Sequence, residues 1–199
     1  MSGILDERAL VEATKPLPGV GREAIRAELE GREPQPAVEA IGLLARRAPV
    51  FVTLRIVGTL RGCIGSLTPL RANLVEETMD RALAAAFEDP RFSPLTLPEL
   101  ERTDVEVSIL GPLEAIASHD DLDPARFGIE VNDGHGRRAV LLPQLAGVDT
   151  VAQQIELTRQ KARIPRGANL EIRRFAAVKV REQRSFATTR EAPAQPSPG

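Results

Sequence analysis

Val50-Phe51-Val52-Thr53-Leu54-Arg55-Ile56-Val57, followed by Gly58-Thr59 and then Leu60-Arg61-Gly62-Cys63-Ile64-Gly65-Ser66-Leu67, runs in period two, breaks at a glycine and returns. Val50, Val52, Leu54 and Ile56 fall on one side of an extended chain, and Phe51, Thr53 and Arg55 on the other. That alternation, rich in β-branched residues, predicts a strand with one face in a core. Gly58 as the first of two turn residues, ahead of Thr59, predicts a type II′ hairpin. Leu60 to Ile64 is then the returning strand, with Arg61 and Cys63 on one face and Leu60, Gly62 and Ile64 on the other. Gly62 and Gly65 allow positive φ and let a ligand or another backbone come close.

Cys63 is the only cysteine in the chain. Two readings of it stand side by side. As a reactive thiol, it would gain thiolate character from a guanidinium on the same strand face, and N–H groups around Gly65 and Ser66 would form a small anion-binding concavity. As a packing residue, it would be a small buried hydrophobe at a tight bend.

Downstream, Thr68-Pro69 predicts a helix start with Thr as N-cap, and Leu70, Leu74, Val75, Thr78, Met79, Ala82, Leu83 and Ala86 form its buried stripe. Pro90 stops that helix. Asp89-Pro90-Arg91-Phe92-Ser93-Pro94 is a restricted turn in which Phe92 plugs into the core and Arg91 either projects freely or pairs with a neighbouring acid. Thr96-Leu97-Pro98-Glu99 has capping-box spacing. Asp104 to Leu110 alternates as a strand, with Glu106 and Ser108 opposite Val105, Val107 and Ile109. Glu106 is an acid or base candidate if that face lines a cleft. Phe127–Val131 and Arg138–Leu142 read as an antiparallel pair, Asp149 as the cap of a helix to about Arg163, and Phe175–Arg181 as a last strand.

Upstream, Pro16 and Pro18 interrupt a weak pattern, Gly21–Glu30 has helical spacing with Gly31 behind it, and Val38–Arg47 reads as a short helix. Residues 1–19 are expected to be weakly ordered, 20–186 to form the domain, and 187–199 to be a disordered tail.

The chain has 199 residues, 42% hydrophobic and 27% charged, which is ordinary for a globular protein that buries a core. A net charge of −2, with no tryptophan or tyrosine, argues against nucleic-acid binding. No apolar run suggests a secretory signal within Met1–Gly21 or a membrane span anywhere. A single thiol cannot form an internal disulfide, which fits the cytoplasm. There is no GxGxxG, Walker A or HExxH motif, and His119 and His135 lie in polar turns without ligand-like spacing, so no cofactor or metal is assigned.

The segments Phe51–Leu54 and Leu60–Leu67 resemble the signature of the AMMECR-one domain family, whose prokaryotic members are called AmmeMemoRadiSam system protein A. Ala85-Ala86-Phe87-Glu88-Asp89-Pro90-Arg91-Phe92, Val105–Leu110 and Leu141-Leu142-Pro143-Gln144 match it in order, with weaker echoes at Gly21–Ile25 and Lys161-Ala162. The resemblance implies a two-lobed α+β fold with a mainly antiparallel sheet and packed helices, and it places the cysteine stretch near an interlobe cleft. It also implies Memo-like and radical S-adenosylmethionine partner proteins. Arg163-Ile164 stands where that family has Gly-Leu, and Arg159 where some members carry a second cysteine. Two functions follow. In the first, the chain is an enzyme or enzyme component acting on a small molecule or peptide. Cys63 would be catalytic, Arg61 and Arg91 would hold an anionic group, Gly62, Gly65 and Ser66 would shape the site, and Gln144 would orient substrate. In the second, the chain is a non-catalytic adaptor that docks through the same surface.

Overall fold

The computed structural model describes residues 7–182. Strands β1 (Val50–Ile56) and β2 (Thr59–Gly65) form the expected hairpin. Its turn is Val57-Gly58, with φ of 49° and 77°, as a type I′ turn requires. Ile56 pairs with Thr59, so Thr59 belongs to the strand and the type II′ expectation is corrected. The register then slips. Arg55 pairs with Leu60 and Leu54 with Gly62, which leaves Arg61 as the extra residue of a β-bulge. Directly opposed residues share a face, so Leu60 sits with Arg55, and Cys63 with Thr53. The simple alternation that put Arg61 beside Cys63 therefore fails at the bulge.

The remaining strands are β3 (Thr103–Leu110), β4 (Glu114–Ala115), β5 (Phe127–Asn132), β6 (Arg138–Leu141) and β7 (Glu171–Arg181). They assemble in the order β2-β1-β3-β7-β5-β6, with β4 also on β7, and each pairing is antiparallel. The long strand β7 joins two lobes. Its residues Ala177–Arg181 pair with β3, and Glu171–Ala176 pair with β5.

The first lobe packs helices α2 (Leu17–Glu30) and α3 (Leu74–Phe87) on the apolar face of β1 and β3. Val50, Val52, Leu54, Val105 and Val107 have no solvent exposure there. Each such burial contributes roughly 1.5–3 kcal/mol. The second lobe packs α5 (Val151–Lys161) over Ile129, Val131 and Ile164. A third cluster, Leu110, Val140 and Phe175 with Phe51, Leu67 and Leu142, holds the lobes together.

Several boundaries move for local reasons. Helix α3 starts at Leu74, because the Asn73 side chain accepts the Glu76 N–H. The stretch before it is held open by buried Glu77, whose carboxylate accepts from the N–H groups of Leu70 and Arg71 at 2.7 Å each. Leu70 is therefore 58% exposed and not part of the stripe. Pro18 opens α2 instead of closing its predecessor, and Leu17 is fully buried. Residues 7–19, expected to be weakly ordered, hold α1 (Glu7–Thr14) and the first turn of α2. Val38–Arg47 is reduced to a 3-10 turn at Gly42–Ala45, since Gly42 takes φ 57°. A short helix α4 (Leu97–Leu100) carries the predicted capping box. Thr150, not Asp149, caps α5 by accepting the Gln153 N–H. The predicted tail lies outside the described residues. Among those residues, no helix is long and apolar enough to cross a membrane.

Candidate functional site

The face of the sheet opposite α2 and α3 is polar. One rung crosses four strands as Cys63, Thr53, Glu106 and Arg181. The next runs Gly65, Phe51, Ser108 and Lys179. Cys63 is half-buried, and its Sγ lies 3.3 Å from Thr53 Oγ1. Glu106 is buried and accepts from Arg181 Nε. Ser108 has no exposure, and among the described residues its hydroxyl has no hydrogen-bond partner.

The backbone of Cys63 is fixed from behind by Asp89. That buried carboxylate accepts the Cys63 N–H at 2.8 Å, the Arg91 N–H at 3.2 Å, and Arg91 Nε and Nη2 at 2.9 and 2.6 Å. The Arg91 guanidinium, helped by the two N–H groups, holds the Asp89 carboxyl well below the usual carboxylate range despite burial. Arg91 Nη2 also lies 3.5 Å from the Cys63 carbonyl, and its side chain is 55% exposed.

Two ammonium groups are held by carbonyls of β6 and the segment that leaves it, one from the second lobe and one from the part of β7 paired with β3. Lys161, the last residue of α5, donates to the Val140 carbonyl at 3.1 Å, and Lys179 of β7 donates to the Pro143 carbonyl at 2.6 Å. Burial pulls both below the ordinary lysine value. Arg91 adds to the lowering at Lys161, and the Glu106 carboxylate acts against it at Lys179. Beyond Lys179 the face opens into a cleft of about 730 Å3 between α1 and the segment ending β6, lined by Gln144, Lys179, Arg181 and Glu182 among others.

The model of the AMMECR1 family matches residues 19–180. The chain belongs to the AMMECR1 family. A Thermotoga maritima protein is 46% identical over 135 residues, 67% of this chain and 77% of its own. A Clostridium acetobutylicum protein is 38% identical over 133 residues, 67% of this chain but only 28% of its own. The crystal structure of the uncharacterized Pyrococcus horikoshii protein PH0010 superposes with a TM-score of 0.77 at 31% identity, covering 86% of this chain and 92% of that one. The two-lobed antiparallel fold is thus that of an AMMECR1 protein.

Within this AMMECR1 domain the predicted residues separate. Cys63 and Arg91 come together. Arg61 turns off the face into a clamp, bidentate to Glu99 at 2.9 and 3.1 Å and also on the Ser93 carbonyl at 3.0 Å. It pulls the Glu99 carboxyl down to about 2. Phe92 sits between the guanidinium groups of Arg61 and Arg91, at 5.7 and 5.5 Å, instead of plugging the core. Neither Gly62 nor Gly65 has positive φ, which corrects that expectation. Gly62 faces α3, where a Cβ would stand 2.1 Å from the Ala85 carbonyl oxygen. Gly65 lies under the Phe51 ring, 2.2 Å from where its Cβ would be. The Ser66 N–H is engaged by the Val50 carbonyl, and its hydroxyl by that of Thr68, so the predicted concavity does not form. Gln144 is exposed in the left-handed region at φ 56°, in the cleft and not beside Cys63.

Sequence reasoning missed Asp89 as the anchor of Cys63, and it missed Thr53, Lys161, Lys179 and Arg181. The alternation of β1 places Thr53 on the Cys63 face once the hairpin register is known. Lys161 comes from the second lobe and Lys179 from the distant strand β7, and no local pattern marks them. Among the described residues, no group of three or more His, Cys, Asp or Glu could hold a metal ion.

Proposed function

We propose that this AMMECR1 protein is an enzyme, or an enzyme component, in a small-molecule or modification pathway, with Cys63 as its reactive thiol. The observation that carries this is the placement of Cys63. A half-buried thiol lies on a polar interlobe face, within 3.3 Å of the Thr53 hydroxyl. Its backbone N–H is held by the buried Asp89 carboxylate, and Arg91 Nη2 lies 3.5 Å from its carbonyl oxygen. A plain packing cysteine needs none of this support. Nucleophilic chemistry needs a fixed, reachable sulfur beside positive charge.

Company from Memo-like and radical S-adenosylmethionine proteins, in the cytoplasm, is the further part of this reading, supported by the family resemblance and by the free thiol. The test is the alkylation rate of native protein by iodoacetamide against pH. One thiol per chain makes the signal unambiguous. Reaction of the native protein at least as fast as that of a small free thiol is expected. Reaction only after unfolding overturns the reading.

Arg91, with a 55% exposed guanidinium at the edge of the face, favours a second reading as an adaptor. In that case Cys63→Ser leaves function intact and Arg91→Glu abolishes co-purification with the partner proteins.

A further inference from the structure

Strand β7 is paired unevenly along its length. Over Glu171–Ala176 it has β5 on one side, and β4 joins it at Arg173 and Arg174. Over Ala177–Arg181 it has β3 on one side and, among the described residues, no strand on the other. Two hydrogen bonds fix which way its backbone groups point. The Glu182 N–H donates to the Val105 carbonyl at 3.2 Å, and the Ala176 carbonyl accepts the Gly111 N–H at 2.9 Å. Even-numbered residues therefore exchange their bonds with β3. In an antiparallel ladder the residues between them turn their N–H and C=O groups the other way. Those residues are Ala177, Lys179 and Arg181. The cleft of about 730 Å3 opens on this edge, lined by Lys179, Val180 and Arg181, by Val11 and Glu12 of α1, and by Gln144.

The outer edges of the sheet are treated differently. At β2 the Asp89 carboxylate accepts the Cys63 N–H, and at β6 the Lys161 ammonium donates to the Val140 carbonyl. An uncovered edge is a template for another strand. The fold thus engages its two outer strands with its own side chains and leaves the edge of β7 open to the cleft. Charge says what kind of strand fits there. Of the charged groups lining the cleft, Glu12 pairs with Lys15, Arg181 with Glu106, and Glu182 with Arg22. Lys179 has no carboxylate within ion-pair distance among the described residues, and its ammonium rests on the Pro143 carbonyl at 2.6 Å. Arg55, on the same face of the sheet, also lacks a carboxylate among those residues, but it donates to the Gly58 carbonyl at the hairpin tip and does not line the cleft.

We propose that the free edge of β7 receives an extended acidic segment of a partner protein, which adds as a strand along Ala177, Lys179 and Arg181 and sets a carboxylate on the Lys179 ammonium. The edge spans about 13 Å at about 3.3 Å per residue, which suits a pentapeptide. Main-chain hydrogen bonds supply the affinity and the lysine supplies the preference for acid. The surface serves this partner whether or not Cys63 reacts.

The test follows backbone amide hydrogen exchange by NMR on the dilute full chain, without and with the blocked peptide acetyl-Thr-Glu-Val-Glu-Thr-amide. In the free chain the Lys179 and Arg181 amides are expected to exchange about 10-fold or more faster than those of Val178 and Val180, which face β3. Saturating peptide is expected to slow Lys179 and Arg181 by about 10-fold or more and to leave Val178 and Val180 unchanged. N-methylation of the peptide at one alternate set of residues is expected to abolish binding, and at the other set to be tolerated. Lys179→Gln is expected to weaken binding about 3- to 5-fold.

No saturable slowing at Lys179 and Arg181 overturns the proposal, and so does binding that survives both methylated sets. Slow exchange of the same amides in the dilute free chain means that the chain's own terminal residues cover the edge. Slowing that grows with protein concentration means that a second copy does. Either result overturns the partner assignment. Equal affinity for the peptide with lysine in place of glutamate, or unchanged affinity in Lys179→Gln, overturns the acidic assignment.

Discussion

On one face of the sheet formed by β2, β1, β3 and β7, Val50, Val52, Leu54, Val105 and Val107 are shut off from solvent beneath two helices. On the other face, the same strands carry Cys63, Thr53, Glu106, Ser108, Lys179 and Arg181. The first face is apolar and closely packed, so any change of shape is felt. The second buries polar groups that would each cost free energy without a partner. Its lysine, Lys179, leans on the Pro143 carbonyl, and the Ser108 hydroxyl has no hydrogen-bond partner among the described residues. The bulge at Arg61 sets the phase between them. It turns Gly62 to the helix and Cys63 to the polar face, and a slip of one residue would exchange them.

The largest expected effects test the packed face. Gly62→Ala pushes a methyl group into the Ala85 carbonyl of α3, and backbone cannot step aside. A loss of about 3 kcal/mol is expected in chemical denaturation, with a fall in melting temperature of roughly 6–12 °C. Gly65→Ala meets the Phe51 ring, which can tilt within the interlobe cluster, so about 2 kcal/mol is expected. If Gly65→Ala costs as much as Gly62→Ala, then the interlobe side is as rigid as the helix side and the contrast between the faces is lost.

The packed face was the legible one. Val50 to Ile56 and Val105 to Ile109 announce their burial through period two, and the order of strands and helices follows from such local signals. The antiparallel fold class needs little more. The candidate site was legible only at Cys63 and Arg91. Arg61 misled because a bulge is invisible to alternation. The glycines misled because close approach by a carbonyl or a ring selects glycine as strongly as positive φ does. Thr68-Pro69 carries a sound helix-start signal, but Asn73 and the buried Glu77 carboxylate override it. Lys161 and Lys179 lie about a hundred residues beyond Cys63 in the chain, and only the packing of α5 and the pairing of β7 with β3 place them.

An intermediate effect belongs to the clamps that tie the cysteine strand and its flanking turn. Arg61 lowers the Glu99 carboxyl to about 2, and Arg91 lowers that of Asp89. A carboxylate with a depressed folded pKa stabilises fully above its unfolded value, about 4.3 for Glu and 3.9 for Asp, and loses that contribution as pH falls through the folded one. Stability is therefore expected to decline from about pH 5 toward pH 2. Glu99→Gln should remove part of that slope and about 0.5–1 kcal/mol at neutral pH, a modest figure because the Glu99 side chain is 36% exposed and screened. Urea titrations at a series of pH values check this, and an unchanged acid slope in Glu99→Gln would show that the Arg61 clamp contributes nothing to folding.

The smallest expected change in stability sharpens the contrast most. Cys63→Ser keeps the size of the side chain and a group able to hydrogen-bond Thr53, on a face where the residue is only half-buried. Its N–H, the part that Asp89 holds, is unchanged. The cost should be about 0.5 kcal/mol or less, within the range of ordinary surface substitutions. Urea denaturation of wild type and variant, run side by side, measures it. A loss of 2 kcal/mol or more would place Cys63 with the valines across the sheet, as a residue selected for packing. A near-zero loss, joined to loss of activity in the reconstituted pathway, would mean that the interlobe face bears chemistry the fold does not need. The same strands would then serve stability through one set of alternating residues and reaction through the other.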